Sequence, residues 1–313
     1  KDLLSMTNIT LIMTYINSFD KTKIFYKYQK GKYDTLVFLH GIGGNWTVWK
    51  KEINYFKKLG FSILYLDLRG HGLSEAPFEF EKYKMQAFSK DIRKILKKEK
   101  ISKYYLIGHS LGGAIAINYC VKYKTKIPQG LVLIETASTY PYSHNRLLNM
   151  SPYITNILRF IANHKPTRKH QIFDPKNMKE VDLSYTGLKE NIHLISYLAH
   201  LTPIRAIVKT LDNIEQYVFK SQKDIDNTLR NLTIPNLVIG GKKDTVVPVK
   251  YSKLIKKLDK RAKLKILPGA DHRVIINDPS EIEEIMYFFL KHKTNKRKFV
   301  EELNIHKKTK KKQ

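Results

Sequence analysis

YYLIGHSLGGAIAINYC fills residues 104–120. Its first four residues are an apolar run of the kind that builds a buried strand, and residues 111–123 read as a helix. Between them stand Gly108, Ser110 and Gly112, a G-x-S-x-G pattern. Glycine is costly inside strands and helices, so glycines at a strand-to-helix junction mark a backbone that side chains would obstruct. The pattern fits a strained turn that lifts the serine hydroxyl above a sheet edge. A side chain at either flanking position would meet neighbouring backbone.

The surrounding chain supplies the sheet. TLVFLH (35–40), FSILYLDL (61–68), KYYLIGH (103–109) and GLVLIET (130–136) read as continuous apolar strands. Helices are expected over 46–60, stopped by Gly60, and over 85–100 and 111–123. Phe19 to Tyr28 alternates on either side of a turn and reads as an antiparallel hairpin. Apolar strands alternating with helices imply an α/β fold, a doubly wound and mostly parallel sheet covered on both faces. The rhythm breaks over 139–230, where RLLNMSPYITNILRFIA (146–162) and LKENIHLISYLAHL (188–201) read as short helices among five prolines. It resumes with strands in 235–242 and 262–269 and helices over 249–259 and 279–292. The expected organisation is an N-terminal extension (1–15), a core (16–138 and 231–292), an inserted helical cap (139–230) and a basic, disordered tail (293–313).

Lysine and arginine number 57 against 28 acidic residues, a formal net charge of +29. Most of this excess is spread along solvated helix faces, as in KKEINYFKK and RKILKKEK. Only residues 291–313 concentrate it, with ten basic residues against Glu301 and Glu302. That tail lacks interleaved aromatics in its terminal KKTKKK, so no specific nucleic-acid partner is expected. A weak electrostatic contact with an anionic membrane is the role it could carry. Cys120 is the sole cysteine, which suits a reducing compartment. No apolar run approaches the roughly 18 residues of a membrane span, and no signal-peptide cleavage pattern is evident, so a cytoplasmic protein is expected. No cluster has metal-ligand spacing and no G-x-G-x-x-G follows a strand, so no cofactor and no metal is expected. A monomer or homodimer is expected.

Five motifs in order make the chain resemble the α/β-hydrolase fold family over about residues 16–292. LHGIGGNW (39–46) looks like the family's oxyanion loop, DLRGHGLS (67–74) like the turn after its fourth strand, and GHSLGG like its nucleophile elbow. GGKKDTVVP (240–248) and PGADH (268–272) look like its acid and histidine loops. The resemblance implies a Ser-Asp-His triad in that chain order: Ser110 as nucleophile, His272 as base, Asp244 orienting the histidine. Asp271 is adjacent to His272, and neighbours seldom face each other, so Asp244 is preferred; Glu135, ending the sixth strand, is the alternative acid. The backbone N–H groups of Leu111 and Ile42 would form the oxyanion hole. His40, His71, Asp67 and Arg69 are expected to brace loops.

The insertion would act as a cap whose Tyr140 and Tyr142, with Trp46, contact substrate; Tyr153, Phe160 and Tyr197 are further candidates for the lining. The implied activity is hydrolysis of small to medium hydrophobic carboxylic esters. Lactonase, thioesterase, C–C bond hydrolase, haloperoxidase and aminopeptidase chemistries share the same triad. Aspartate-nucleophile enzymes of this fold are disfavoured by the serine at position 110. A non-catalytic ligand-binding protein on the same fold is the alternative of another class.

Overall fold

The computed structural model of the chain describes residues 14–140 and 202–292. Eight strands form one sheet: β1 (Thr14–Asn17), β2 (Lys23–Gln29), β3 (Tyr33–Leu39), β4 (Phe61–Leu66), β5 (Tyr104–His109), β6 (Gly130–Ile134), β7 (Asn236–Gly241) and β8 (Lys263–Leu267). Their spatial order is β1-β2-β4-β3-β5-β6-β7-β8. The β1/β2 and β2/β4 pairs are antiparallel and all later pairs are parallel. Parallel neighbours need crossovers, and helices supply them: α1 (Lys50–Lys58), α2 (Met85–Lys98), α3 (Leu111–Lys122), α4 (Ile204–Arg230) and α5 (Lys250–Leu258); α6 (Val274–Asn277) and α7 (Pro279–Lys291) follow the last strand.

The period-two alternation of each strand divides the apolar residues between the two faces. Leu36, Phe38, Tyr105, Ile107, Val132 and Ile134 pack with Phe56 of α1 and with Ile282, Ile285 and Phe289 of α7. Their sequence neighbours Val37, Leu39, Leu106, Leu131 and Leu133 pack on the other face with α2, α3 and α4. Both faces are therefore dry, which is why these strands read as unbroken apolar runs rather than as alternating ones. Burying each large aliphatic or aromatic chain contributes about 1.5–3 kcal/mol. Helix ends follow local rules: α1 runs out at Gly60 (φ +86), and α7 starts with Pro279 at its first turn behind Asp278.

One sequence expectation changes. The hairpin lies further toward the N-terminus than Phe19–Tyr28: its first strand is β1, and Ser18–Thr22 form the turn, with the Ser18 N–H donating to the Thr22 carbonyl. Lys21 takes a left-handed conformation there, so Phe19 sits in the turn and is half-exposed. The segment 202–230 is expected within the helical insertion, with no bounds for a helix of its own. It is mostly one 27-residue helix, α4, whose Ile214, Ile225 and Leu229 belong to the same core as Ile115 and Leu131. The runs 146–162 and 188–201, expected to be short helices, lie outside the described residues, as do most of 1–15 and the tail.

The turn after β4 is tied down from two sides. Asp67 accepts the N–H groups of Trp46 and Leu73, each at 2.7 Å, joining this turn to the loop after β3. Burial nonetheless pushes its carboxyl up to about 7. Gly72 (φ +51) lies against that carboxyl: a Cβ there would come within 2.2 Å of it. His40 bridges the same two loops, donating from Nδ1 to the Gly41 carbonyl (2.7 Å) and accepting the Leu68 N–H at Nε2 (2.9 Å). That pairing requires a neutral ring, and burial holds the ring well below its usual range.

Arg69 is fully buried and grips Asp91 of α2 through two bonds (2.7 and 2.6 Å), Asp20 of the first turn (2.9 Å) and the Lys82 carbonyl (2.6 Å). Removing one partner of a buried pair leaves the other charge unsolvated. Arg69→Met is expected to lower stability in urea unfolding by about 3–5 kcal/mol. Adding Asp91→Leu is expected to recover part of that loss, whereas additive losses would show that the pair does not carry it.

Candidate active site

The C-terminal ends of β5, β7 and β8 bring three side chains into one line. Ser110 follows β5 and opens α3 with φ 51 and ψ −116, a conformation unfavourable for any residue with a Cβ. Its N–H is pinned to the Ile134 carbonyl at 2.9 Å, and its carbonyl receives Gly113 and Ala114 in the first turn of α3. His272, in the loop after β8, places Nε2 3.1 Å from the Ser110 Oγ and Nδ1 2.8 Å from Asp244 Oδ2. Asp244, in the loop after β7, is buried and accepts at Oδ1 the N–H groups of Val246 and Val247, each at 2.8 Å. Burial pushes the Asp244 carboxyl up, but its bond to His272 and these amides more than offset that and hold it below the usual carboxylate range. Asp271 points elsewhere, accepting the Arg273 N–H at 2.9 Å.

The glycines have separate reasons. A Cβ on Gly108 would lie 2.3 Å from the Gly112 backbone, and one on Gly112 would lie 2.2 Å from the Leu39 carbonyl oxygen. The elbow therefore packs backbone on backbone. Gly113 answers to a side chain instead: a Cβ there would lie 2.0 Å from Thr136 Oγ1, and Thr136 clamps the turn by donating to the Ser110 carbonyl at 3.1 Å. On the other side, a Cβ on Gly41 would come within 3.3 Å of the Ser110 Cβ, so the loop after β3 lies directly against the serine. Leu111 is the first residue of α3, and its N–H has no partner within the helix. Ile42 packs at the edge of the core on that same loop.

His109 is a participant that sequence reading missed. It occupies the free position before Ser110, donates from Nε2 to the His272 carbonyl at 2.8 Å, and has its ring 4.9 Å from that of His272. Burial drives it down to about 3, so it stays neutral. Nothing in a G-x-S-x-G pattern marks that residue. Thr136 was equally silent.

A narrow, mostly apolar cleft runs from Ser110 between α3 and α4, lined by Leu111, Ala114, Ile117, Ile214, Tyr217 and Ile225 among others. Tyr140 packs against the core on this side. Trp46, expected to touch substrate, instead stacks on Tyr65 (4.7 Å between centroids) in the packing of the opposite face and does not line the cleft. Tyr142, Tyr153, Phe160 and Tyr197 lie outside the described residues. Among the described residues, no group of three or more His, Cys, Asp or Glu could hold a metal ion, and no helix is long and apolar enough to cross a membrane.

Comparison with known proteins gives the family. The chain is 30% identical over 271 residues to a pimeloyl-[acyl-carrier protein] methyl ester esterase of Wigglesworthia glossinidia brevipalpis, covering 82% of this chain and 93% of that protein. It is 23% identical over 261 residues to the AB hydrolase superfamily protein YisY of Bacillus subtilis, covering 81% and 90% of the two. Of human protein ABHD8 it spans only about half, 54% of the length. A solved esterase from Exiguobacterium antarcticum shares the fold with a TM-score of 0.69 at 20% identity, over 89% of this chain and 99% of that one. The model of the alpha/beta hydrolase fold matches residues 34–279, and the chain belongs to that family.

Proposed function

We propose that the chain is a serine hydrolase that cleaves carboxylic esters of small to medium hydrophobic acyl groups through an acyl-enzyme on Ser110. The observation that carries this reading is the continuous line Ser110 Oγ–His272 Nε2 (3.1 Å) and His272 Nδ1–Asp244 Oδ2 (2.8 Å). An unassisted hydroxyl is a weak nucleophile at neutral pH, and this line supplies a base and fixes its tautomer. Nδ1–H donates to the ionised Asp244, so Nε2 is left to accept the Ser110 proton.

The chemistry then follows in two halves. Ser110 Oγ attacks the ester carbonyl carbon while its proton passes to His272. The carbonyl oxygen takes the negative charge, received by the N–H groups of Leu111 and Ile42, the former at the positive end of α3. Collapse expels the alcohol, which takes the proton from His272, and leaves the acyl group on Ser110. A water, deprotonated by His272, repeats the sequence and releases the acid. The apolar side chains of the cleft suit a hydrocarbon acyl chain, whose burial costs them no unpaired polar group. An esterase among the relatives, named for a methyl ester, agrees with an ester as the substrate class.

Turnover of p-nitrophenyl esters from acetate upward tests the reading. Ser110→Ala is expected to lower kcat on the order of 10⁴-fold or more without loss of fold. Absence of turnover in the wild type, or full turnover in the variant, would reject the serine-esterase assignment. Ala114, one helical turn beyond Ser110, lines the cleft. Ala114→Phe is expected to lower kcat/KM for hexanoate and longer esters about tenfold or more, while acetate stays within about threefold. An equal loss on all chain lengths would place the acyl chain elsewhere.

A further inference from the structure

The end of β6 carries a buried carboxyl that the mechanism above leaves unused. Glu135 is fully buried and sits at φ 47, held there by its N–H bond to the Ile239 carbonyl at 2.9 Å. Its side chain reaches the ends of β7 and β8. Oε1 occupies space that a Cβ on Gly241 would contest at 2.6 Å, and the carboxyl lies in hydrogen-bonding reach of the Asp244 carboxyl. Two buried carboxyls in contact cannot both be ionised, so the pair shares one proton.

The donors decide where that proton stays. Asp244 accepts from Val246, Val247 and His272, which stabilises its charge. Among the described residues only the Gly241 amide faces the Glu135 carboxyl as a donor, and neither Glu135 oxygen receives a well-formed hydrogen bond. We propose that Glu135 is a positioning residue: it stays protonated at neutral pH and donates its O–H to Asp244, fixing the carboxylate that orients His272. This inference rests on the Ser-His-Asp reading above and assigns Glu135 a part other than that of the alternative acid. Electrostatics agrees in direction. Burial first, then the Asp244 carboxylate and Asp271 after β8, push the Glu135 carboxyl up to about 10, and the Gly241 amide offsets only part of this. The proton leaves a single negative charge beside His272, where ionisation of both groups would leave two.

Glu135→Gln keeps a neutral donor of the same shape, while Glu135→Leu removes the donor. The His272 ring, labelled with 13C and titrated by NMR, reports the charge beside it without any substrate. In Glu135→Gln its titration midpoint is expected within about 0.3 pH units of the wild type, because no charge has been removed. The wild-type ring is expected to show a second, alkaline inflection near pH 10, from ionisation of Glu135, that Glu135→Gln lacks. In ester turnover, Glu135→Gln is expected within about threefold of the wild type and Glu135→Leu about tenfold lower in kcat with KM little changed. A fall of a unit or more in the His272 midpoint of Glu135→Gln would mean that Glu135 was ionised and would overturn the proposal. So would an Asp244→Asn variant that keeps activity within tenfold while Glu135→Gln loses a hundredfold, since Glu135 would then be the acid. If the wild type cleaves no ester, the esterase reading fails, and the His272 titration still decides the state of Glu135.

Discussion

The site depends on a close crossing of backbones. Where β5 turns into α3, the backbone at Gly108 lies against that at Gly112, and Gly112 lies under the carbonyls of Leu39 and His40. No residue with a Cβ fits either place, and this closeness brings the end of β3 beside the start of α3. The same contact sets the loop of Gly41 and Ile42 next to Ser110. The start of helix α3 and the loop after β3 are therefore neighbours at the serine. A wider crossing would still fold a parallel sheet, but it would separate Ser110 from the loop after β3.

Around that crossing, buried histidines are kept neutral. His40 and His109 each have one ring nitrogen committed to a backbone carbonyl, and burial keeps both from charging. Their value is geometric: His40 ties the loop after β3 to the loop after β4, and His109 ties the elbow to the loop that carries His272. A charged ring at either place would need a counter-ion in a dry environment, at several kcal/mol. Negative charge is concentrated instead on Asp244, where two amides and an imidazole receive it.

The sequence made the sheet and the line Ser110–His272–Asp244 legible because both rest on local signals. Unbroken apolar runs announce strands buried on both faces, and glycines at fixed offsets announce backbone packed on backbone. What stayed hidden rests on contacts between distant segments. Thr136 explains Gly113, but the two are 23 positions apart and neither hints at the other. His109 occupies a position that the motif leaves free. Helix α4 was obscured because its buried face is partly polar: Lys209, Thr210 and Asn213 are buried beside Ala206 and Ile214, and no residue is buried between Ile214 and Ile225. Trp46 shows that a large aromatic near a site packs as readily into the core as into a cleft.

Ser110 and Glu135 share a feature that links fold to chemistry. Both are non-glycine residues at positive φ, 51 and 47, and each directly follows a strand of the parallel sheet, β5 and β6. Each also donates its N–H into the next strand, Ser110 to Ile134 and Glu135 to Ile239, as though the ladder ran one residue further. The ladder bond holds the residue in register while the left-handed turn swings its side chain away from the alternation of the strand. Such a conformation costs about 1–3 kcal/mol at each position, and it persists because the sheet over-determines it. The outcome is the same at both strands: a polar side chain that would otherwise point into one apolar face is carried to the C-terminal edge, toward His272 in one case and Asp244 in the other. The sheet's rigidity is thus what sets the positions of Ser110 and Glu135.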